Sequence, residues 1–268
     1  MKYQYIDEKG EHLHTLDGRP LIGTSTVCKI ISKPLTWWAS GMAVAKFGWL
    51  DPKKNPPEAV QEALGRAFEE IKLLDLPAYE KLVAEAYKAH SVRLKKAAKD
   101  GTDLHAELEQ FVLEEMELAI VAPHSPKIQP FVDWARANVK KWLWAEGHCY
   151  SEELWTGGIA DSGAEMNDGS LAVFDFKSAK DAYYDHFVQA GGYATALEES
   201  GLLTRDGELV LEFEKPFDKL IIVPFGAEVM NPVIRTDVGT FKHNFRNALA
   251  LYKGQQAFEN TAQQALAI

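Results

Sequence analysis

An acidic residue and a lysine stand two positions apart in Asp175-Phe176-Lys177. They follow the apolar run 171–174, which predicts a strand, and side chains two apart on a strand point to the same face. Upstream, Gly158-Ile159-Ala160-Asp161 predicts a partner strand, and Asn167-Asp168-Gly169 predicts the turn between them. Asp161 is therefore expected near Asp175. Two carboxylates and an ammonium group together could bind a hard divalent cation and activate a water molecule for phosphodiester hydrolysis.

The order and spacing of these segments resemble a nuclease family. The runs 158–161, 168–169 and 174–178, followed by Gln189 and Tyr193, are similar to the PD-(D/E)xK nuclease superfamily, specifically its RecB-like exonuclease branch. Upstream, the segment 101–105 with Glu109 resembles the helix that supplies the histidine ligand of that branch, and Ser25-Thr26-Val27 resembles phage-encoded members. The resemblance implies an α/β fold with a restriction-endonuclease-like mixed β-sheet core flanked by helices.

The resemblance also implies a set of metal ligands. Asp161, Asp175 and the backbone carbonyl of Phe176 would bind Mg²⁺ through oxygen, and His105 would add a nitrogen ligand, which makes Mn²⁺ an alternative. A single histidine on an amphipathic helix is more often a surface or core residue than a metal ligand. The presence of Asp161, Asp175 and Lys177 in the order of the family favours a ligand here. Lys177 would position or help to deprotonate the attacking water and would stabilise charge on the pentacovalent phosphorane.

Other polar residues could support this site. Glu109 lies one turn after His105 and would either orient it, hold a second metal ion or remain exposed. The family often has a glutamate before the first acidic strand, and either Glu152 or Glu153 could take that position. The resemblance implies that Gln189 orients the site and that Tyr193 touches DNA; the alternative is a core tyrosine beside a solvated glutamine.

The charge balance restricts how the chain could bind nucleic acid. It has 29 Lys and Arg against 39 Asp and Glu, a net charge of −10, so its overall field repels phosphate. Binding to DNA would have to be local. The candidate basic stripes, each of which could equally be a solvated helix face, are Arg93 with Lys95, Lys96 and Lys99, then Lys140 with Lys141, and Lys177 with Lys180.

Composition excludes several classes of protein. A chain of 268 residues with 46% hydrophobic and 25% charged residues is typical of a globular protein. The opening residues lack a signal sequence and no run is long enough to span a bilayer, so we expect a cytoplasmic protein, bacterial or in a phage-infected cell. Cys28 and Cys149 are too few for a disulfide scaffold or for the four-cysteine Fe–S cluster of some RecB-like relatives.

The coarse pattern predicts a mainly helical region, residues 1–100, that covers the cleft of a nuclease core formed by residues 101–268. A small hairpin over 3–16 precedes helices at 25–34, 36–49, 58–75 and 78–99. Gly101 is expected to end that helical pattern, and further helices are predicted at 102–118 and 127–146. The core is predicted to contain strands at 148–155, 158–165, 170–177, 208–213, 218–225 and 229–235, and helices at 183–199 and 238–258.

These features together predict a divalent-metal-dependent exonuclease that acts on DNA ends in phage or prokaryotic recombination, replication or repair, with a protein of those pathways as a candidate partner. Two alternatives stay open. One is a noncatalytic DNA-binding or assembly subunit on the same fold, and the other is an endonuclease. No phosphate-binding loop of the Gly-x-x-x-x-Gly-Lys type occurs, so ATP-driven helicase activity is not expected.

Overall fold

Short strands and long helices alternate along the chain. The structure, a computed structural model, describes residues 2–8, 11–32, 36–120, 123–226 and 230–266. The helices are α1 (Thr24–Cys28), α2 (Thr36–Ala45), α3 (Pro57–Ile71), α4 (Leu76–Glu115), α5 (Gln129–Asn138), α6 (Tyr184–Ser200) and α7 (Val238–Leu266). The strands are β1 (Tyr3–Glu8), β2 (Glu11–Leu16), β3 (Arg19–Pro20), β4 (Ile22–Gly23), β5 (Val139–Ser151), β6 (Thr156–Met166), β7 (Leu171–Lys177), β8 (Leu202–Leu203), β9 (Leu209–Leu211), β10 (Lys219–Pro224) and β11 (Val233–Arg235).

The larger sheet is mixed, with strand order β11-β10-β7-β6-β5-β8-β9 and with β4 added beside β6. Strand β7 runs antiparallel to β6 and parallel to β10. Parallel neighbours need a long crossover, and the connection from β7 to β10 contains α6. The predicted α/β class with a mixed sheet flanked by helices is confirmed at this level.

Side chains of β7 alternate between two hydrophobic cores. Val173 packs in a cluster with residues of α1, α6 and α7, whereas Phe174 and Phe176 pack with residues of α4 and α5. Both phenylalanines are buried, as predicted for Phe176. A strand whose two faces are both covered by helices has a nearly continuous apolar sequence. Asp175 interrupts that run and is fully buried.

The predicted helix over 127–146 is wrong in its second half. Helix α5 ends at Asn138, and the chain continues directly as β5. Trp142 and Trp144 are both buried at alternate positions of this strand, and a β-carbon added at Gly163 would lie 1.8 Å from the Trp144 ring. Packing of the indole against the glycine on β6 therefore outweighs local helix propensity. Lys140 and Lys141 lie on this strand instead of on a helix.

The predicted break at Gly101 is also wrong, because α4 continues through it. Glycine in a helix interior costs about 1 kcal/mol relative to alanine, so it tends to mark a boundary. At this position a β-carbon would lie 3.0 Å from Ser178 Cβ. The missing side chain thus admits a close approach between α4 and the segment after β7.

Internal contacts divide the chain into two units, residues 33–100 and residues 1–32 with 101–268. The smaller unit is helical, as predicted for this part of the chain, and Ala86 and Ala89 are buried in it. Residues 1–32, which we expected to belong with it, are part of the larger unit. Strand β4 explains this assignment, since Ile22 and Gly23 pair with Thr156 and Gly157 of β6. Among the described residues, no helix has both the length and the apolar character needed to cross a membrane.

Candidate active site

The site forms where β6 and β7 stop pairing. The antiparallel register includes Ser162↔Phe174, and the next pair in that register would be Asp161 opposite Asp175. At this point the Phe176 N–H donates to Asp161 Oδ2 at 2.6 Å. A carboxylate thus takes the place of a backbone acceptor in the ladder, which fixes the Asp161 side chain beside the end of β7.

Asp175 and Lys177 form a buried ion pair on one face of β7. Lys177 Nζ donates to Asp175 Oδ1 at 2.9 Å and lies 2.9 Å from Oδ2, but Oδ2 accepts no hydrogen bond from any described residue. Burial raises the pKa of Asp175 to about 7, against the opposing charge of Lys177. Burial also disfavours the ammonium group, but the negative charges of Asp175 and Asp161 outweigh it and raise the pKa of Lys177. The lysine therefore stays charged at neutral pH.

His105 reaches the same place from α4. Its Nε2 lies 3.3 Å from Asp161 Oδ1, and its ring meets the Phe176 ring edge to face at 5.8 Å. Burial lowers the pKa of His105, but the hydrogen bond and charge of Asp161 overcome this and raise it. The side chains of His105, Asp161, Asp175 and Lys177, predicted to converge, are thus all at the junction of β6 and β7. The predicted role of the Phe176 carbonyl as a ligand stays a prediction.

Glu146 completes a cluster that the sequence did not predict. One ligand atom each of His105, Glu109 and Glu146 lies within 4.8 Å of the others, an arrangement that could hold a metal ion. The register Ala145↔Ser162 and Gly147↔Ala160 places Glu146 opposite Asp161. Burial and the charge of Glu146 raise the pKa of Glu109. The aromatic residues Trp142 and Trp144 favour a strand, but the register shifts between them and they pack in different cores, so simple alternation could not have placed Glu146.

The two glutamates predicted for this role lie elsewhere. The backbone N–H groups of Glu152 and Glu153 donate to Glu199 Oε1 at 2.7 and 3.1 Å, and the Glu153 carboxylate lies 3.5 Å from Arg246. Both residues belong to the turn between β5 and β6. Because β5 begins nine residues earlier than predicted, the glutamate that faces Asp161 is Glu146.

Gln189 and Tyr193 lie one turn apart on α6, as predicted. Gln189 Nε2 donates to the Tyr193 hydroxyl at 2.9 Å. Tyr193 is buried, and burial with the nearby charges of Asp175 and Asp161 raises its pKa well above the ordinary value. A β-carbon at Gly158 would lie 2.6 Å from Tyr193 Cε1. The tyrosine is thus held between α6 and β6 as a core residue that borders the site.

The basic residues predicted to bind DNA lie mainly on α4. Arg93 is exposed on α4 and lines a groove of the smaller unit with Lys46, Lys81 and Lys88. The side chains of Lys95, Lys96 and Lys99 lie outside the described residues. Lys180 is exposed three residues after Lys177. Their contact with DNA stays a prediction.

The chain was compared as a whole with known proteins. No protein-family model matches it, and no curated protein is significantly similar to it.

Proposed function

We propose that this protein is a divalent-metal-dependent deoxyribonuclease of the RecB-like PD-(D/E)xK type, acting as an exonuclease. The observation that carries the proposal is the meeting of Asp161, Asp175, Lys177 and His105 where two strands of a mixed sheet diverge. A structural ion pair needs only two of these groups. A set that adds a second carboxylate and an imidazole is typical of metal-assisted hydrolysis.

The donor atoms fit a magnesium or manganese ion. Asp175 Oδ2 is buried and accepts no hydrogen bond from the described residues, although Lys177 Nζ lies 2.9 Å away, so this oxygen keeps a lone pair that a second cation could use. Asp161 and Asp175 offer the carboxylates that these ions prefer, Glu109 and Glu146 offer two more beside His105, and the His105 imidazole favours manganese over magnesium. A divalent ion bound there would supply Lewis acidity, lowering the pKa of a coordinated water and neutralising phosphate charge.

Lys177 contributes a positioned positive charge. Its ammonium group is held by Asp175 at 2.9 Å, so its remaining protons are available to a water molecule or to a phosphate oxygen. In a site largely closed to solvent, such a preorganised donor stabilises charge that develops on the phosphorane. Asp161, fixed by the Phe176 N–H, keeps the opposite side of the site from shifting.

The substrate class and the need for a free end follow from the family resemblance. With a net charge of −10, the protein would bind DNA through local cationic groups and through metal ions that offset the site carboxylates. Recombination, replication or repair are the processes in which such an activity is used, and a protein of one of these processes is a candidate partner.

The test is a digestion assay with internally labelled DNA. Linear and circular substrates, single- and double-stranded, are incubated with magnesium, manganese or a chelator, and Asp175→Asn purified in parallel controls for contaminating nucleases. We expect the linear substrates alone to be degraded, only with metal and only by the wild type. Cutting of closed circles would replace the exonuclease by an endonuclease, and tight binding without any cutting would favour the noncatalytic subunit.

A further inference from the structure

A cavity of ≈ 690 Å³ adjoins the candidate metal cluster. Glu146, Gly158 and Tyr193 line it on the side of the cluster, and the hairpin β1–β2 lines it on the other side with Tyr5, His12 and His14. All of these residues belong to the larger unit. Its volume is within the range of about 300–1,000 Å³ usual for small-molecule sites. Glu146 belongs to both the cavity and the cluster of His105, Glu109 and Glu146, so the two share a wall.

Aromatic rings dominate the wall formed by the hairpin. The rings of Tyr5 and His12 are stacked, with centroids 5.9 Å apart and an interplanar angle of 7°. The rings of His14 and His148 lie 5.1 and 4.9 Å from Tyr5. Flat rings of this kind offer stacking surfaces to a nucleobase, and such stacking tolerates any base because every base has a π-face.

The rings are fixed before any ligand binds. The Tyr3 hydroxyl is hydrogen-bonded to Nδ1 of His14 at 2.6 Å and to Nδ1 of His148 at 3.2 Å. Burial lowers the pKa of His14 to about 4, so at neutral pH this ring is an uncharged aromatic surface. A preformed wall reduces the entropy lost on binding.

The charges that line the cavity are mixed. Arg205 and Lys29 are cationic, whereas Asp7 and Glu146 are anionic. The Arg205 guanidinium lies 5.2 Å from the centre of the Tyr5 ring, and the Tyr5 N–H donates to the Arg205 carbonyl at 3.2 Å. A site for a bare anion would lack the carboxylates and would not need the rings. A nucleotide has a flat base that can stack on the rings and a phosphate that can approach Arg205 and Lys29. It therefore matches both the rings and the cationic side chains.

We propose that this cavity takes the unpaired terminal base of the DNA strand whose backbone lies at Asp161 and Asp175. This inference rests on the proposed function, since it places the scissile phosphate at the metal cluster. It implies that the last base pair of a duplex must open before the strand is positioned. The protein would therefore prefer single-stranded or frayed ends to blunt, fully paired ends.

The test measures binding in the presence of Ca²⁺, which carboxylate oxygens bind, in place of the catalytic metal, and electrophoresis confirms that the oligonucleotides stay uncut. Internally labelled single-stranded oligonucleotides carry either a normal nucleotide or an abasic residue at the 5′ end or the 3′ end, and affinity is measured by fluorescence anisotropy. For the wild type we expect the abasic residue at one end to weaken binding about 5- to 140-fold, the range of one base–aromatic stack. The abasic residue at the opposite end should have no effect.

Variants locate the base. His12→Ala and Tyr5→Ala should abolish most of the difference between the base-bearing and abasic ends, whereas His243→Ala, at an exposed histidine of α7 outside the cavity, should keep it. The His12 side chain is 63% exposed, so its removal tests the cavity even if Tyr5→Ala misfolds. Equal wild-type affinity for base-bearing and abasic ends, or full discrimination in His12→Ala, would overturn the proposal. The cleavage assay decides the nuclease separately, because end-base discrimination without cleavage would refute the nuclease alone.

Discussion

At the scale of single residues, replacing Lys177 distinguishes metal binding from catalysis. Lys177→Ala removes the ammonium group and leaves Asp161, Asp175, His105 and Glu146 in place. We expect manganese affinity to persist while the cleavage rate falls about 100-fold or more, as for other positioned catalytic groups. Because Lys177 lowers the pKa of Asp175, its removal raises that pKa, so calorimetry at several alkaline pH values separates competition from the proton from the loss of a metal ligand. Lys180→Ala, at an exposed lysine, is the matched control; lost manganese binding in Lys177→Ala would mean that the lysine is structural.

Glu146 provides a second prediction, because it contacts the cluster from a strand that the sequence did not predict. Glu146→Gln keeps the shape of the side chain and removes its charge beside His105 and Glu109. We expect manganese affinity to fall about 10- to 100-fold, the size of effect usual for groups that support a metal site. Glu152→Gln is the control, since Glu152 lies in the turn near Glu199. A similar loss in both variants would indicate a general charge effect instead of a metal contact.

Asp161, Asp175 and Lys177 could be placed together from the sequence because alternation on a strand and the turn between two strands are local rules. His105, on a helix, was expected there only from the family resemblance. The position of Glu146 was not predicted, because it depends on the pairing register of β5 with β6. That register shifts between Trp142 and Trp144, which pack in two different cores. Contacts between residues so far apart in the sequence cannot be predicted from a short segment of it.

At the scale of elements, the hairpin β1–β2 should lose stability in acid. His14 has a pKa of about 4 in the folded protein, against 6.5 for a free side chain. Between pH 6.5 and pH 4 the unfolded chain binds a proton at His14 and the folded chain does not. The free energy of unfolding therefore falls as the pH drops through this window, and the contribution of His14 is fully present above pH 6.5. The loss between pH 7 and pH 5 should be about 2 kcal/mol.

Urea unfolding at pH 7 and pH 5 measures this loss. His14→Gln has no titrating group at this position. Between pH 7 and pH 5, the free energy of unfolding of this variant should therefore fall by about 2 kcal/mol less than that of the wild type. The comparison cancels other groups that titrate in both proteins. An identical loss in the two proteins would show that His14 is accessible to protons in the folded state.

The types of the elements were more predictable than their ends. Strands β6 and β7 and helix α6 were predicted close to their observed positions because apolar periodicity and turn residues agree there. Helix α7 begins where predicted but continues to Leu266. The boundary between α5 and β5 and the continuity of α4 were missed. In both places a tertiary contact decided the outcome, Trp144 against Gly163 and Gly101 against Ser178.

At the scale of the whole molecule, charge should make DNA binding strongly dependent on salt. An acidic protein must hold the phosphate backbone with a few cationic groups, and each such contact adds about 0.7 to the salt slope for single strands. Neutralising Arg93, Lys95 and Lys96 with glutamine should therefore lower the slope by up to about 2.

Affinity for single-stranded DNA is measured at several salt concentrations for this purpose. A control that changes Lys53, Lys54 and Lys72 to glutamine removes the same charge from the same unit. We expect it to weaken binding without lowering the slope by the same amount. Equal slopes for the two triple variants would mean that the helix residues make no specific phosphate contacts.

The hydrogen bond from the Phe176 N–H to Asp161 has a consequence for how this site could change in evolution. Asp161 accepts a hydrogen bond from the backbone of β7 and so holds the junction of β6 and β7 together, whereas the Lys177 side chain donates, among the described residues, to the neighbouring Asp175 alone. Selection for a folded chain should therefore retain Asp161 even after selection for catalysis has ceased. In descendants that have become inactive, we expect Asp175 and Lys177 to be replaced together, because loss of either alone leaves a buried charge without its partner, and we expect Asp161 to persist as a relic of the ancestral chemistry.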